Sequence, residues 1–85
     1  MIKLIVLTNQ QNLVSQIDEV TSELGEPDCK LTNPFKLNKQ SNDEYTLETW
    51  IDFTNQNEIM IHSDSILTLV DPTSDLLKKY IDLIK

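Results

Sequence analysis

The sequence predicts a single, mostly β domain made of short strands and closed by one C-terminal helix. Three observations predict it. At 85 residues there is material for one core only. Apolar and polar residues alternate with a period of two through much of residues 2–70, broken by clusters of turn formers. After Asp71-Pro72 the apolar period lengthens to that of a helix.

A chain this short buries only about 60 to 65% of its unfolded surface, so extra stabilisation is expected from disulfides, a metal or self-association. The single cysteine, Cys29, allows no intrachain disulfide and fits a reducing compartment. One Cys and one His cannot complete a four-ligand zinc site. Self-association remains. No run of 18 apolar residues exists and the opening Met1-Ile2-Lys3-Leu4-Ile5-Val6-Leu7 is too short for a signal segment, so a cytoplasmic location without membrane contact is expected. The net charge of −7, from 14 carboxylates against 7 lysines and no arginine, disfavours non-specific attraction to phosphate backbones or anionic lipid.

Taken in order, Leu4, Val6 and Thr8 alternate with Lys3, Ile5 and Leu7, then Thr8-Asn9-Gln10-Gln11 turns the chain. Residues 12–22 form the return strand, with Leu13, Ser15, Ile17 and Glu19 on one side. Its second half suits strand or helix, and Val20-Thr21-Ser22 favours a long bent strand. Leu24-Gly25-Glu26-Pro27 is a turn. Residues 28–37 form a third strand, with Cys29, Leu31 and Asn33 on one side and Pro34 marking an edge or bulge. Residues 38–44 are wholly polar and predict an exposed mobile tip. Residues 45–53 alternate again. Residues 54–57 make a turn or bulge before Glu58-Ile59-Met60-Ile61 resumes extended character, His62-Ser63-Asp64-Ser65 turns tightly, and Ile66-Leu67-Thr68-Leu69-Val70 is the last strand.

Asp71 is placed to cap a helix with Pro72 at its first position, and Leu76, Leu77, Tyr80, Ile81 and Ile84 recur at helical spacing. A helix of about 12 residues is unstable alone in water. It must dock on the strands, on a neighbouring subunit or on a partner. Five strands, four in a bent antiparallel meander and the fifth after a tight turn, predict a small SH3-like barrel over residues 2–70 with a helix over 72–84, all within one domain, 1–85.

Within that frame, Ile61-His62-Ser63-Asp64-Ser65-Ile66 resembles the second motif of the Sm/LSm proteins: Ile, Arg, Gly, Asp or Asn, one variable residue and a hydrophobe. Residues 4–15 resemble the opening strand, turn and second strand of that family, with Gln10 and Ser15 where glycines are usual, and Leu31-Thr32-Asn33 resembles the end of its first motif. The nearest likeness is to a divergent Sm-like family of marine cyanophage sequences, over roughly residues 2–70. Departures are clear: His62 replaces the RNA-contacting arginine, Ser63 replaces a glycine, and the helix follows the strands rather than preceding them. The resemblance implies a homo-oligomeric ring of about five to seven copies. In such a ring Glu58, Ile59, Met60 and Ile61 of one subunit pair with Ile66, Leu67, Thr68, Leu69 and Val70 of the next. That fits an uncharged apolar strand that is an aggregation hazard if its edge is left open.

The resemblance also implies a site for short single-stranded RNA at the inner rim, with Asn33 on a base edge, His62 stacking or donating, Asp64 ordering the loops and Lys30 near phosphate. Each residue has a plainer role: Asn33 as a turn residue before Pro34, His62 as a solvated histidine, Asp64 as a local turn carboxylate and Lys30 as a surface lysine. Tyr45, Trp50 and Phe53 suit core or subunit interface better than a stacking platform. Neither Asp71 with Asp75 nor His62 with Asp64 supplies enough metal ligands, and no cofactor is expected. With one His, one Cys and no Ser-His-acid arrangement, catalysis is not expected. Two functions stand: an Sm-like ring binding single-stranded RNA, acting in the host cell cytoplasm if phage-encoded, and a homo-oligomeric protein-interaction scaffold without nucleic-acid binding, which the lack of arginine favours.

Overall fold

The computed structural model describes residues 1–41 and 44–85. The alternating runs become β1 (Ile2–Leu7), β2 (Asn12–Glu19), β3 (Cys29–Lys39), β4 (Tyr45–Thr49), β5 (Glu58–Ile61) and β6 (Ile66–Val70). A single 3-10 turn spans Ser63–Ser65, and α1 (Ser74–Ile84) follows. The fold is mostly β with one C-terminal helix, as expected. All strands pair antiparallel in the order β4-β3-β2-β1-β6, with β5 also against β3.

Among the described residues six strands form where five were expected. The run from Tyr45 stops at Thr49, and residues 50–57 leave the sheet before the chain returns as β5 on the other half of β3. Ile51 and Phe53, read as strand positions, are exposed in that excursion. β2 ends at Glu19, so Val20-Thr21-Ser22 is irregular rather than strand. β3 runs on to Lys39, which takes Asn38 and Lys39 out of the expected polar tip; Asn42 and Asp43 of that tip lie outside the described residues.

The β1–β2 turn is closed by the Leu7 N–H donating to the Gln11 carbonyl at 2.9 Å and the Gln10 N–H to the Leu7 carbonyl at 2.9 Å, with Gln10 at φ 70. This is a left-handed position where a glycine fits more easily.

A bulge in β3 organises everything else. Val14 pairs with Phe35 and Gln16 with Thr32, so β3 carries one residue more than β2 across this step, and Asn33 takes φ 54 there. An inserted residue reverses the inward and outward sense of a strand. Before the bulge the odd-numbered Cys29 and Leu31 join an inner cluster with Ile5, Leu7, Leu13, Ile59 and Ile61. After it, the odd-numbered Phe35 and Leu37 lie with Val14, Leu4, Tyr45 and Leu47 in a second cluster, beneath Leu76 and Tyr80 of α1. One strand thus supplies both faces of the sheet, and the helix docks on the outer face of its own chain.

The inner cluster sits in a curl. Across β5-β3-β2-β1-β6 a flat sheet would separate its outer strands by about 19 Å, at ~4.8 Å per strand. Yet β5 and β6 are joined by residues 62–65 alone, partly wound as the 3-10 turn, and such turns advance only about 2.0 Å per residue. The sheet bends to let them meet, and Ile59 and Ile61 pack in the same cluster as Ile5 and Leu7. Among the described residues no ladder joins β5 to β6, so the sheet is curled but open.

At the helix start, Thr73 rather than Asp71 is the cap: its hydroxyl accepts from the Leu76 N–H at 3.2 Å. Asp71 is instead drawn to Lys3 on β1, 2.6 Å from its Nζ. The helix therefore begins two residues later than Pro72 suggested. Leu76 and Tyr80 are buried, Leu77 and Ile84 half-buried, and Ile81 is exposed. The Tyr45 hydroxyl donates to Asp75 at 3.2 Å, and the Lys79 ammonium lies 4.3 Å from the Tyr45 ring centre, tying β4 to the helix.

Candidate functional site

Two loops meet at one end of the sheet, the β2–β3 connection and the β5–β6 turn. Asp28 joins them. Its carboxylate accepts from the Ser63 amide at 2.7 Å and from the Ser63 hydroxyl at 2.7 Å. These two bonds, chiefly the hydroxyl, hold the Asp28 carboxyl below the usual carboxylate range. The turn is closed from within by Ser65, whose amide (3.0 Å) and hydroxyl (2.7 Å) donate to the His62 carbonyl. Between the loops is an open cleft of about 380 Å³ with Glu23, Glu26, Asp28, His62, Ser63 and Asp64 on its walls. Four carboxylates surround one exposed histidine, a setting that repels phosphate.

Of the residues singled out from sequence, His62 and Asp64 share this cleft. Lys30 does not line it: its ammonium lies 3.4 Å from Glu58 across the β3–β5 pair. Asn33 is at the other end of β5. Cys29 faces Ile61 and Thr32 faces Glu58 in that ladder, and the Asn33 N–H donates to the Asn57 carbonyl at 2.7 Å. Within one chain, then, the structure brings His62 and Asp64 together and sets Asn33 apart, in a smaller cleft of about 220 Å³ beside Trp50 and residues 54–57. Asp28 and Ser63, which fix the larger cleft, were not singled out. A signal existed, since an aspartate just before a strand and a serine in a turn are both local hydrogen-bonding types, but nothing in the spacing pairs positions 28 and 63.

The residues proposed for subunit contact divide in two. Ile59 and Ile61 point into the inner cluster, whereas Met60, Leu67, Leu69 and Val70 are exposed; Glu58 and Thr68 are exposed too, and Ile66 is half-buried. Of the three aromatics read together, Tyr45 lies beneath the helix, Trp50 packs half-buried against the inner cluster and Phe53 is fully exposed, so they form no single cluster.

Cys29 is buried, and its thiol is pushed up first by that burial and then by the neighbouring Asp28 and Glu19 charges. Such a thiol is a poor nucleophile. Among the described residues no group of three or more His, Cys, Asp or Glu side chains is placed to hold a metal ion. No described helix is long and apolar enough to cross a membrane.

The fold and these loops define a mostly β protein: one curled antiparallel sheet with a helix on its outer face and an acidic loop cluster at one end. The chain belongs to a family of unknown function (DUF6561), which it matches over residues 1–85. No curated protein matches it.

Proposed function

We propose that this chain is a self-associating module of Sm-like build, non-catalytic, whose copies join the outer edge of β5 to the outer edge of β6 and serve together as an interaction scaffold. The observation that carries this reading is β6. Among the described residues it pairs with β1 alone, on one edge; it bears no charged residue and exposes Leu67, Leu69 and Val70. Strands that end a sheet normally carry a charge, a proline or a cover against unwanted pairing. β5 offers a matching edge, since among the described residues it pairs with β3 alone and exposes Met60. Pairing the two edges head to tail repeats one interface and closes a ring of about five to seven copies if the rotation closes.

An RNA-binding ring using Asn33, Lys30, His62 and Asp64 is the second reading, favoured by the exposure of His62 in a turn. The four carboxylates around that histidine and the Lys30–Glu58 pair weigh against it. Native mass spectrometry, with and without short oligo-U and oligo-A, separates the possibilities. The scaffold reading expects a closed oligomer that gains no RNA mass. A monomer at micromolar concentration overturns self-association, and an oligomer that takes up RNA moves the function to the second reading.

A further inference from the structure

We propose that the cleft at the β3 bulge binds an uncharged carbohydrate, one sugar ring resting against Trp50 while the carboxamides of Asn33, Asn55 and Asn57 bond its hydroxyls. This site is separate from the edges and loops invoked for assembly.

A quarter of the chain is charged, yet none of the ten residues lining this cleft is ionisable. Its walls hold Asn33, Trp50, Thr54, Asn55, Gln56 and Asn57, an aromatic ring among amides and hydroxyls. Among the described residues the side-chain amides of Asn33, Asn55 and Asn57 make no hydrogen bond within the chain. Gln56 is committed, its side-chain nitrogen donating to the Glu58 carbonyl at 2.6 Å and its backbone N–H to the Thr54 hydroxyl at 3.1 Å. These two bonds stiffen the loop that presents the others.

A carboxamide both donates and accepts, as a sugar hydroxyl does. A phosphate only accepts and calls for a cation, and the cleft has none. That argues for a neutral glycan over a nucleotide. An indole offers a broad apolar face to the C–H side of a sugar ring together with a polar edge. The volume, about 220 Å³, is below the roughly 300–1,000 Å³ of sites for drug-sized ligands, which suits one ring with the rest of the ligand outside.

The backbone leading into the cleft is strained at Phe53, which precedes residues 54–57 and holds φ 69, whereas Asn33 on one wall holds φ 54, a left-handed position that asparagine tolerates. A left-handed phenylalanine is a real outlier, and strain of this kind concentrates at ligand clamps.

Trp50 is the chain's one tryptophan, so its fluorescence reports on the cleft directly. The test titrates the intact protein with methyl glycosides of glucose, galactose, mannose and N-acetylglucosamine and with their trisaccharides, and with uridine and adenosine as competitors for the same reporter. We expect at least one neutral sugar to give a saturable change. Asn57→Ala should weaken it about five- to tenfold, the worth of one neutral hydrogen bond. Asn33→Gly, which keeps the left-handed backbone while removing the amide, should do likewise, with thermal melts confirming that both variants fold. Saturation-transfer NMR on the sugar should lose its signal in Trp50→Leu. The proposal is overturned if no sugar saturates the response, if a nucleoside binds more tightly than every sugar, or if both asparagine variants bind as well as the parent.

Discussion

The Tyr80 hydroxyl lies 2.9 Å from the carbonyl oxygen of Asn33, 47 residues earlier in the chain. It also lies 3.1 Å from the Thr32 carbonyl and accepts from the Gln16 N–H at 3.2 Å. A bulge interrupts the ladder and leaves backbone groups without strand partners. Here a single side chain from the helix reaches three backbone groups beside the bulge, in the buried layer between helix and sheet. Its oxygen accepts from the Gln16 N–H, and its one proton is shared between the carbonyls of Asn33 and Thr32, the second of which the Ser15 hydroxyl also approaches at 3.1 Å. Phe35 meets the same ring edge-on at 5.9 Å. The helix therefore does more than cover apolar surface: it holds the backbone of the residue whose side chain faces the neutral cleft.

Tyr80→Phe should keep the ring and lose those bonds, stranding buried backbone groups at a cost of about 1–3 kcal/mol. Chemical denaturation measures it. Tyr80→Ala adds a cavity and should cost about 3–5 kcal/mol, as large-to-small core changes do.

Asp28 makes stability depend on acid. Its carboxyl titrates lower in the fold than the usual ~3.9. The unfolded chain therefore takes up the proton first as pH falls, and the stabilisation, complete above about pH 4, is lost from there down to the folded value. Asp28→Asn should flatten this stretch of a stability-against-pH curve, and Ser63→Ala, which removes the leading cause, should flatten it partly. A slope unchanged in both variants would mean that other carboxylates govern acid unfolding.

For Cys29 the sign is opposite. The folded thiol holds its proton above the usual range near ~8.5, so folding is favoured fully below that value and progressively less as pH rises beyond it. Iodoacetamide at pH 8 should alkylate the native protein at least about tenfold more slowly than the urea-unfolded chain, because the reactive species is the thiolate and the side chain is buried.

The cap and the ion pair near the start of α1 should separate cleanly. Thr73→Ala removes the side-chain acceptor of the Leu76 N–H and should cost about 1 kcal/mol. Asp71→Ala breaks only a surface pair with Lys3, worth at most about 1 kcal/mol and salt-sensitive. Thermal melts at low and high salt distinguish the two, since only the second should lose its effect in salt.

Leu67→Lys places a charge on the open edge of β6, where the side chain is two-thirds exposed. The fold should tolerate it and the far-ultraviolet spectrum should not change. If copies associate through this edge as proposed, the parent should elute as an oligomer on size-exclusion chromatography and the variant as a single chain. An oligomer that persists would place the contact elsewhere.

Much of the fold was legible because periodicity reports burial directly. Ile5 and Leu7, Cys29 and Leu31, and Ile59 and Ile61 each alternate with more exposed neighbours and reach the inner cluster; on β2 the alternation is hidden, because Val14 and Ser15 are as buried as Leu13. Asn-Pro at 33–34 marked a bulge or edge, and the structure has the bulge there. The Asp71-Pro72 signal misled because Thr73, one residue beyond the proline, also has a capping hydroxyl, while Lys3, close only in space, draws Asp71 away. The candidate site was less legible: His62 and Asp64 are neighbours in sequence and stay neighbours, but Asn33 was grouped with them by likeness of motif, and the β5 ladder carries it to the opposite end.

The sequence by itself determined the cores of most strands, the turns between them and the presence of a C-terminal helix, since those depend on the spacing of apolar side chains and on residues with special backbone freedom; it did not fix where β2 and β4 end or where the helix begins. Only the tertiary structure decided that β3 supplies both faces of the sheet, that Asp28 meets Ser63 and that Tyr80 completes the bulge. The physical reason is the same in each case. A one-residue insertion reverses every later side chain of a strand, and hydrogen bonds between residues 35 to 48 positions apart leave no mark in local spacing.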